Sequence, residues 1–221
     1  MIIAIDGPSG AGKSTLGKML AKNLGLLYLD TGAMYRAVGL TVLKNGTSLE
    51  DTGEIIEIAE SGKIELVGEP ENLQVFLNGE NVSAEIRTPE VGQAASIVST
   101  ISEVRKLLVK RQQELGNRGN GCVLDGRDIG TVVFPNADVK FFLTAKPEAR
   151  ARRRYEEDRT RGRNTPTYEE TLAEINLRDE RDVSREDSPL AIAEDAIVID
   201  TSELDLREVF ELMLEKVRNE K

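Results

Sequence analysis

A chain of 221 residues is long enough to bury a sizeable core, and we expect one compact domain with an insert, two small domains being the alternative. Hydrophobic residues make up 39% of the chain and charged residues 31%, which argues against disorder. The net charge of -10 excludes a broad electrostatic surface for nucleic acid, and no apolar stretch approaches the ~20 residues of a membrane span. We therefore expect a cytoplasmic protein without nucleic-acid or membrane partners.

The counts of cysteine and histidine exclude several kinds of chemistry. A single cysteine rules out an intrachain disulfide and a multi-cysteine metal cage. The absence of histidine rules out serine-histidine hydrolysis, histidine-ligated zinc and a histidine general base. Cys122 lies in the apolar run GCVLDG, so we interpret it as a small core residue, with a reactive thiol as the alternative.

The N-terminal part of the chain alternates apolar runs with segments of helical periodicity. The runs IIAI (2–5) and LLYL (26–29) are typical of buried β-strands. Between them we predict a helix that stops at Gly25, because four apolar residues recur at helical spacing on one face. These residues are Leu16, Met19, Leu20 and Leu24. A second helix is predicted over about 33–44.

The next segment departs from this alternation. We predict a helix over 49–60 with Ser48 as its N-cap. The stretch KIELVGEPENLQVFLNGENV (63–82) then has two β-rich runs, and its Asn78-Gly79 pair is a hairpin turn signal. This stretch therefore predicts a small antiparallel insert.

The C-terminal part returns to alternating strands and helices. The predicted strands are GCVL, VKFFL and AIVI. The predicted helices lie at about 103–115, 147–158, 168–184 and 205–218. Thr167 and Glu170 form a capping box before the third of these helices. Strands that alternate with helices predict an α/β fold, in which a mostly parallel sheet is covered on both faces and binds ligands at the carboxyl ends of its strands.

The stretch GPSGAGKS (7–14) lies between a predicted strand and a predicted helix. Its spacing of Gly7, four residues, Gly12, Lys13 and Ser14 matches the phosphate-binding P-loop. Lys13 is expected to reach the β- and γ-phosphates and the Ser14 hydroxyl to bind Mg²⁺. The alternative is a turn that only joins strand to helix, which the agreement of motif and context disfavours. The predicted nucleotide-binding residues are Gly7, Pro8, Ser9, Gly10, Ala11, Gly12, Lys13, Ser14 and Thr15.

Three further stretches predict a pocket for a second substrate. LDTGAMYR (29–36) and LDGRDIG (124–130) each follow a predicted strand, and LRDERDVSR (177–185) lies on a predicted helix. Arg36 and Arg127 follow glycine turns at the edge where ligands bind, which suggests a guanidinium clamp on a phosphate. For the charged helix, the alternative is a solvated face of ion pairs.

In this order, five motifs resemble bacterial cytidylate kinases: GPSGAGKS, LDTGAMYR, EIRTPEVGQAAS, VLDGRDIGTVVFP and RDERDVSR. The resemblance implies a P-loop NTPase-type sheet with helices on both faces. It also implies a core of 1–46, 87–147 and 164–221, a nucleoside-monophosphate-binding insert at about 47–86 and an arginine-rich lid at about 148–163.

The implied reaction is transfer of the ATP γ-phosphate to CMP or dCMP, which gives ADP and CDP or dCDP. By similarity, the monophosphate is bound by Thr31, Tyr35, Arg36, Ser96, Arg105, Arg127, Asp128, Arg178, Asp182 and Arg185. Two positions depart from some family members: Thr31 stands where they have serine, and Ser14 stands where they have glycine. We expect a monomer, because every predicted element is accounted for without a partner face.

The chemistry of cytosine favours the same substrate. Cytosine presents an amino donor at N4 beside acceptors at N3 and O2, which Asp128 and Arg105 are able to satisfy, whereas uracil reverses this pattern. Asp182 with Arg178 is expected to hold the ribose, as similar enzymes suggest, so dCMP is expected to bind more weakly.

The segment EARARRRYEEDRTRGR (148–163) contains seven arginines in an otherwise acidic protein. The resemblance places the lid here and implies that Arg150, Arg153 and Arg154 meet the phosphates, so that with Lys13 and Arg127 they form the predicted catalytic set. The alternative is a basic exposed helix whose charge nearby acidic residues balance.

Three questions stay open in the sequence. Asp125 is predicted to hold an Mg²⁺-bound water, with a structural hydrogen bond to the loop as the alternative. A GTPase switch would need an Asn-Lys-x-Asp segment, which is absent. A P-loop scaffold that consumes no CMP, and a kinase for AMP, UMP or dTMP, remain as alternatives.

Overall fold

The computed structural model describes residues 1–160 and 166–219. Its strands are β1 (Ile2–Asp6), β2 (Leu27–Asp30), β3 (Ile64–Val67), β4 (Gln74–Leu77), β5 (Glu80–Asn81), β6 (Cys122–Gly126), β7 (Val139–Thr144) and β8 (Ile197–Asp200). Its α-helices are α1 (Lys13–Leu24), α2 (Thr31–Asn45), α3 (Thr52–Ser61), α4 (Pro89–Val98), α5 (Ser102–Gly116), α6 (Pro147–Thr160), α7 (Tyr168–Ser184) and α8 (Leu206–Asn219).

A five-stranded sheet in the order β2-β6-β1-β7-β8 forms the centre of the fold, and all its strand pairs are parallel. The predicted α/β fold class is therefore confirmed. The register aligns Asp30 of β2 and Ile5 of β1 with Asp125 of β6, so three strands end at the same edge. Carboxylates and loops that follow these strands converge there.

Both faces of the sheet are covered, which explains why β1 is a continuous apolar run. Ile3 and Ile5 pack in one cluster with side chains of α1 and α8, whereas Ala4 faces the opposite side and packs with Leu124. Helices α2, α3, α4 and α5 add a further cluster. Helices α2 and α4 approach closely because Gly39 has no side chain: a Cβ there would lie 2.9 Å from the Ala95 backbone nitrogen.

Two helix starts differ from the sequence prediction because aspartates supply the caps. Helix α2 begins two residues early, since the Asp30 side chain accepts a hydrogen bond from the Ala33 N–H at 3.0 Å. Helix α3 is capped by Asp51, which accepts from the Glu54 N–H at 3.0 Å. The prediction that Ser48 caps this helix is wrong, because Ser48 lies in the preceding turn.

Helix α4 and a π-helical turn are missing from the sequence prediction, as are two short 3₁₀ turns at Pro70–Asn72 and Glu85–Arg87. Helix α4 has a standard start signal, with Thr88 as the N-cap and Pro89 as its first residue. A single π-helical turn spans Ile129–Val133 directly after β6. Its apolar, β-branched composition contains no signal for such a turn, which depends on contacts with distant residues.

The predicted antiparallel insert is confirmed as a three-stranded sheet in the order β3-β4-β5. Asn78 and Gly79 join β4 to β5 with positive φ angles of 51° and 87°, as a two-residue hairpin turn requires. Val75 and Val82 of the insert pack against Leu40 of α2. The insert therefore shares a hydrophobic cluster with α2.

The arginine-rich segment forms α6, which packs against α7. The rings of Tyr155 and Tyr168 meet edge to face with centroids 6.4 Å apart. The capping box of Thr167 and Glu170 is present, as predicted. Residues 161–163 of the predicted lid lie outside the described residues. No helix in the described ranges is long and apolar enough to cross a membrane.

Cys122 is fully buried in β6, and burial raises the pKa of its thiol to about 12. The core interpretation is therefore confirmed. We expect the native protein at pH 8 to leave a chromogenic disulfide reagent unreacted, because the thiolate is the reactive form. The denatured protein should react with the reagent to the extent of one thiol per chain. Rapid reaction of the native protein would contradict a buried thiol.

Candidate active site

A cavity of about 870 Å³ opens at the carboxyl edge of β1, β2 and β6. It brings together most residues that the sequence marks as functional. Its lining includes Ser9, Gly10, Ala11, Gly12, Lys13, Ser14 and Thr15 on one side. The other lining residues of the predicted site are Thr31, Tyr35, Arg36, Arg105, Asp125, Arg127, Asp128, Arg153, Arg154, Arg178, Asp182 and Arg185.

Four predicted residues do not line this cavity: Gly7, Pro8, Ser96 and Arg150. Gly7 and Pro8 lie at the base of the loop, where a Cβ on Gly7 would be 1.9 Å from the Leu143 carbonyl oxygen. Ser96 is buried in α4, directly after the lining residue Ala95 and three positions before the lining residue Ser99. Gly7, Pro8, Ser96 and Arg150 therefore lie next to the cavity but outside its lining.

The P-loop presents an open helix N-terminus. Gly12 adopts a φ of 93°, which a residue with a side chain rarely reaches, and it precedes α1 without a side-chain cap among the described residues. The first N–H groups of α1 are therefore available to phosphate oxygens, and the helix dipole favours an anion there.

Lys13 lies at the floor of the cavity and is 5% exposed. Its Nζ donates to the Pro8 carbonyl oxygen at 2.7 Å. Burial holds the pKa of Lys13 well below its usual value, and the positive charge of Arg127 acts in the same direction, while Asp125 opposes both. An anion bound beside Nζ would oppose this shift and favour the charged form of Lys13.

Ser14, Asp125 and Tyr28 form a chain of hydrogen bonds beside the loop. The Ser14 hydroxyl donates to Asp125 Oδ2 at 2.8 Å, and the Tyr28 hydroxyl donates to Asp125 Oδ1 at 2.6 Å. Burial, followed by the negative charge of Asp30, raises the pKa of Asp125. Of the two roles considered for Asp125, the structural hydrogen bond to the P-loop is therefore present.

The same hydroxyl and carboxylate suit Mg²⁺, which prefers oxygen ligands. Among residues 1–160 and 166–219, no group of three or more His, Cys, Asp or Glu side chains is placed to hold a metal ion. Mg²⁺ in phosphate-binding sites usually keeps several waters and takes one or two protein ligands together with phosphate oxygens.

Away from the P-loop, Arg105 and Asp128 form an ion pair with 2.5 Å between Nη2 and Oδ2. They are 2% and 6% exposed. Arg105 also donates to the Ser99 carbonyl oxygen at 3.1 Å and lies over the Tyr35 ring. Arg105 Nε and the Ser96 hydroxyl are buried and make no hydrogen bond to any described residue, so both retain capacity for a ligand.

Arginines converge between the two sides of the cavity. Arg127 Nε donates to Asp182 Oδ2 at 2.6 Å, and Arg185 lies 3.6 Å from the other Asp182 oxygen. Arg36 is 3.9 Å from Asp30. Burial, together with Arg127, lowers the pKa of Arg178 to about 9. The 3% exposure of Asp182 excludes the solvated-face interpretation of this part of α7.

The three lid arginines of the prediction have different surroundings. Arg153 donates to the Thr201 hydroxyl at 3.0 Å and to its carbonyl oxygen, and Arg154 lies 3.2 Å from Glu174. Both line the cavity. Arg150 lies behind the P-loop, where it is 3% exposed and its Nη1 donates to the Ser9 carbonyl oxygen at 3.1 Å.

Sequence reasoning missed two polar residues beside the site. Tyr28 was assigned only to an apolar strand, although a tyrosine hydroxyl in a buried strand needs a partner. Asp6 was passed over at the end of β1, and its carboxylate accepts from the N–H groups of Ile129 and Gly130. Burial raises the pKa of Asp6 to about 6, while these two hydrogen bonds oppose the shift. A carboxylate directly before a P-loop was the available signal.

Comparison with solved structures supports the fold. A shikimate kinase from Bacteroides thetaiotaomicron superposes with a TM-score of 0.50 at 15% identity, covering 99% of this chain and 96% of that structure. An uncharacterized protein from Eubacterium ventriosum superposes with a TM-score of 0.51 at 13% identity, with coverage of 99% and 98%. At these identities the likeness concerns the fold alone.

Comparison with protein sequences is more specific. The family described as cytidylate kinase matches residues 3–219. The cytidylate kinase of Caldanaerobacter subterraneus subsp. tengcongensis is 55% identical over 98% of this chain and 94% of its own length. The cytidylate kinases of Caldicellulosiruptor bescii and Bacillus velezensis are 53% and 50% identical, over 96% and 97% of this chain and 93% and 95% of their own lengths. With the resemblance of its motifs thus confirmed along nearly its whole length, the chain belongs to the cytidylate kinase family.

Proposed function

We propose that the protein transfers the γ-phosphate of ATP to CMP, and to dCMP, in pyrimidine nucleotide metabolism. The observation that carries this proposal is that one cavity holds a P-loop at one side and the buried pair of Arg105 and Asp128 at the other. The arginines between them lie where two phosphate groups would meet. The names of the curated relatives support the same substrate.

On the ATP side, the backbone N–H groups of the P-loop are expected to cradle the phosphates. Lys13 would exchange its contact with the Pro8 carbonyl oxygen for phosphate oxygens, which restores a full anionic partner to the buried cation. Arg150 keeps the Ser9 end of the loop in place from behind. Its contribution would be to position the loop.

We propose that Ser14 and Asp125 hold Mg²⁺ together with the ATP phosphates, Asp125 through a water molecule. When bound, the ion would neutralise part of the charge on the phosphates. Tyr28 fixes the Asp125 carboxylate from the opposite side through the 2.6 Å hydrogen bond. The protein therefore supplies a prepared pair of oxygen ligands and leaves the remaining ligands to the substrate.

On the acceptor side, Asp128 would accept from the N4 amino group of cytosine and Arg105 would donate to its acceptors. Uracil would place an oxygen against the carboxylate and leave buried polar groups unpaired, which costs ~1 to 3 kcal/mol. Asp182 and Arg178 would hold the ribose, so the missing hydroxyl of dCMP would weaken its binding.

The chemical step requires no general base from the protein. The attacking group is a phosphate oxygen whose second pKa is about 6, so it is already ionised at neutral pH. What the residues supply is alignment of the two phosphates and positive charge around the transferring group, from Lys13, Arg127 and the cavity-lining lid arginines. The absence of histidine in the chain is consistent with this chemistry.

A product assay tests the proposal directly. The protein is incubated with ATP, Mg²⁺ and CMP, and ADP and CDP are quantified by anion-exchange chromatography. We expect one CDP for each ADP, and little ADP when CMP is omitted. A P-loop scaffold would form no CDP, and an NTPase would form ADP at the same rate with and without CMP. Either result would contradict the proposal.

We also expect the protein to act as a monomer in the cytoplasm. Size-exclusion chromatography with light scattering should give a mass near the 24.3 kDa of one chain. A mass near twice this value would contradict the monomer.

Arg154→Ala should lower the turnover number by ~10-fold or more and leave the affinity for CMP nearly unchanged, because one positive charge near the transferring group is removed. Steady-state kinetics with CMP, together with calorimetric binding of CMP, measure the two effects. Arg152→Ala is the matched control, since Arg152 lies exposed on the same helix. Unchanged turnover in Arg154→Ala would remove this residue from the active site.

A further inference from the structure

Asp6 connects the start of the P-loop to the segment that follows β6 through two hydrogen bonds to backbone N–H groups. It is the last residue of β1, directly before Gly7, and it is 4% exposed. Its Oδ1 accepts from the Ile129 N–H at 2.8 Å, and its Oδ2 accepts from the Gly130 N–H at 2.7 Å. One carboxylate therefore binds two consecutive backbone N–H groups, which belong to residues 123 and 124 positions after Asp6 in the sequence.

Ile129 and Gly130, whose N–H groups bind Asp6, directly follow Arg127 and Asp128, which we propose to bind the acceptor nucleotide. At this point the chain leaves β6 and forms the π-helical turn, in which the Asp128 carbonyl oxygen accepts from the N–H groups of Val132 and Val133. The Ile129 and Gly130 N–H groups at the start of the turn point to Asp6. The direction in which this loop leaves the sheet is thus set by a side chain at the start of the P-loop.

We infer that Asp6 is a positioning residue, which fixes Asp128 and Arg127 relative to the P-loop and thereby sets both cytosine recognition and the alignment of the two phosphates. The inference rests on the proposed function. It assigns to Asp6 a part in substrate selection although Asp6 does not line the cavity.

A carboxylate is required here because it offers two acceptor oxygens to two donors. In Asp6→Asn, one oxygen becomes an NH₂ group that faces a backbone N–H, so one hydrogen bond is lost and two donors oppose each other. The change in volume is small. We therefore expect a shift of the loop over Ile129 and Gly130 without removal of any group that touches a nucleotide.

The matched control is Asp138→Asn. Asp138 accepts from the Ile2 N–H at 2.6 Å, at the opposite end of the same strand. The control thus changes the same kind of carboxylate-to-backbone hydrogen bond of β1, but far from the cavity. Both variants are compared with the wild type by steady-state kinetics with CMP and with UMP, and by the KM for ATP.

We expect Asp6→Asn to lower kcat/KM for CMP by ~10-fold or more, because a displacement of about 1 Å has such effects in active sites. The ratio of kcat/KM for CMP to that for UMP should fall, while the KM for ATP changes less than the KM for CMP. Asp138→Asn should preserve the ratio. A parallel fall for CMP and UMP in Asp6→Asn would indicate a merely structural role and overturn the inference.

A measurement on the wild type keeps the inference testable should Asp6→Asn not fold. Amide hydrogen exchange by NMR should show strong protection of the Ile129 and Gly130 N–H groups in the nucleotide-free protein. Exchange as fast as in exposed loops would overturn the inference. A wild type that uses CMP no better than UMP would instead contradict the proposed function, so the two failures are distinguishable.

Discussion

Lys13→Met should lower the turnover number by ~100-fold or more, the effect typical of removing one charged group that stabilises a transition state. The P-loop backbone would remain, since the main-chain geometry of the loop depends on Gly7 and Gly12. Methionine keeps the length of the side chain and removes its charge. The developing charge on the transferring phosphoryl group would then lose its nearest fixed cation.

The same substitution should not lower the stability of the nucleotide-free protein. Burial and Arg127 depress the pKa of Lys13 in the folded state below that of the unfolded chain, so at neutral pH the lysine side chain makes folding less favourable. Methionine removes this cost. Thermal unfolding and steady-state kinetics measure both effects. Lys106→Met, at an exposed position of α5, is the control for activity. A variant with nearly normal turnover would contradict the assigned role of Lys13.

Asp128→Asn should reduce the preference for CMP over UMP by ~10-fold or more, the discrimination expected when a buried polar match is lost. The asparagine amide is able to donate to the O4 atom of uracil, which the carboxylate cannot. The variant also removes the negative charge beside Arg105, which keeps its hydrogen bond to the Ser99 carbonyl oxygen and its place over the Tyr35 ring. We therefore expect kcat/KM to fall for CMP and to fall less, or to rise, for UMP.

Parallel steady-state kinetics with CMP and UMP measure this change in preference. Asp51→Asn serves as the control, because it makes the same chemical change at an exposed helix cap far from the cavity. An unchanged ratio in Asp128→Asn would show that Asp128 does not read the base. A similar change in Asp51→Asn would point to a general effect on stability.

Local sequence patterns were sufficient to predict the sheet and the P-loop. The run IIAI is apolar throughout because both faces of β1 are buried, and Ile3, Ala4 and Ile5 are 0% exposed. The conformation of the P-loop depends on residues within one short turn, so the local motif is enough to predict it. Family resemblance supplied the residues predicted to bind the acceptor, most of which line one cavity in the structure.

Contacts between segments that are distant in the chain could not be predicted from the sequence. The hydrogen bond from Tyr28 to Asp125 joins residues 97 positions apart, and that from Ile129 to Asp6 spans 123 positions. Each partner has an ordinary local context, and only the order of strands in the sheet makes them neighbours.

The directions in which the lid arginines point could not be predicted from the sequence either. Arg150 and Arg154 lie one helical turn apart on α6, so helical periodicity places them on the same face of the helix. Arg150 faces the back of the P-loop and Arg154 faces the cavity. Packing against α7 and the loop sets this difference, which periodicity alone does not reveal.

The most direct test of the account is the rate of ADP formation from ATP and Mg²⁺ with each of CMP, dCMP, UMP, AMP and dTMP, and without an acceptor. We expect the highest kcat/KM for CMP, a lower value for dCMP, and a value for UMP that is ~10-fold or more below that for CMP. Without an acceptor, ADP formation should be slowest. Equal use of CMP and UMP, or ATP consumption that is as fast without an acceptor, would contradict the account.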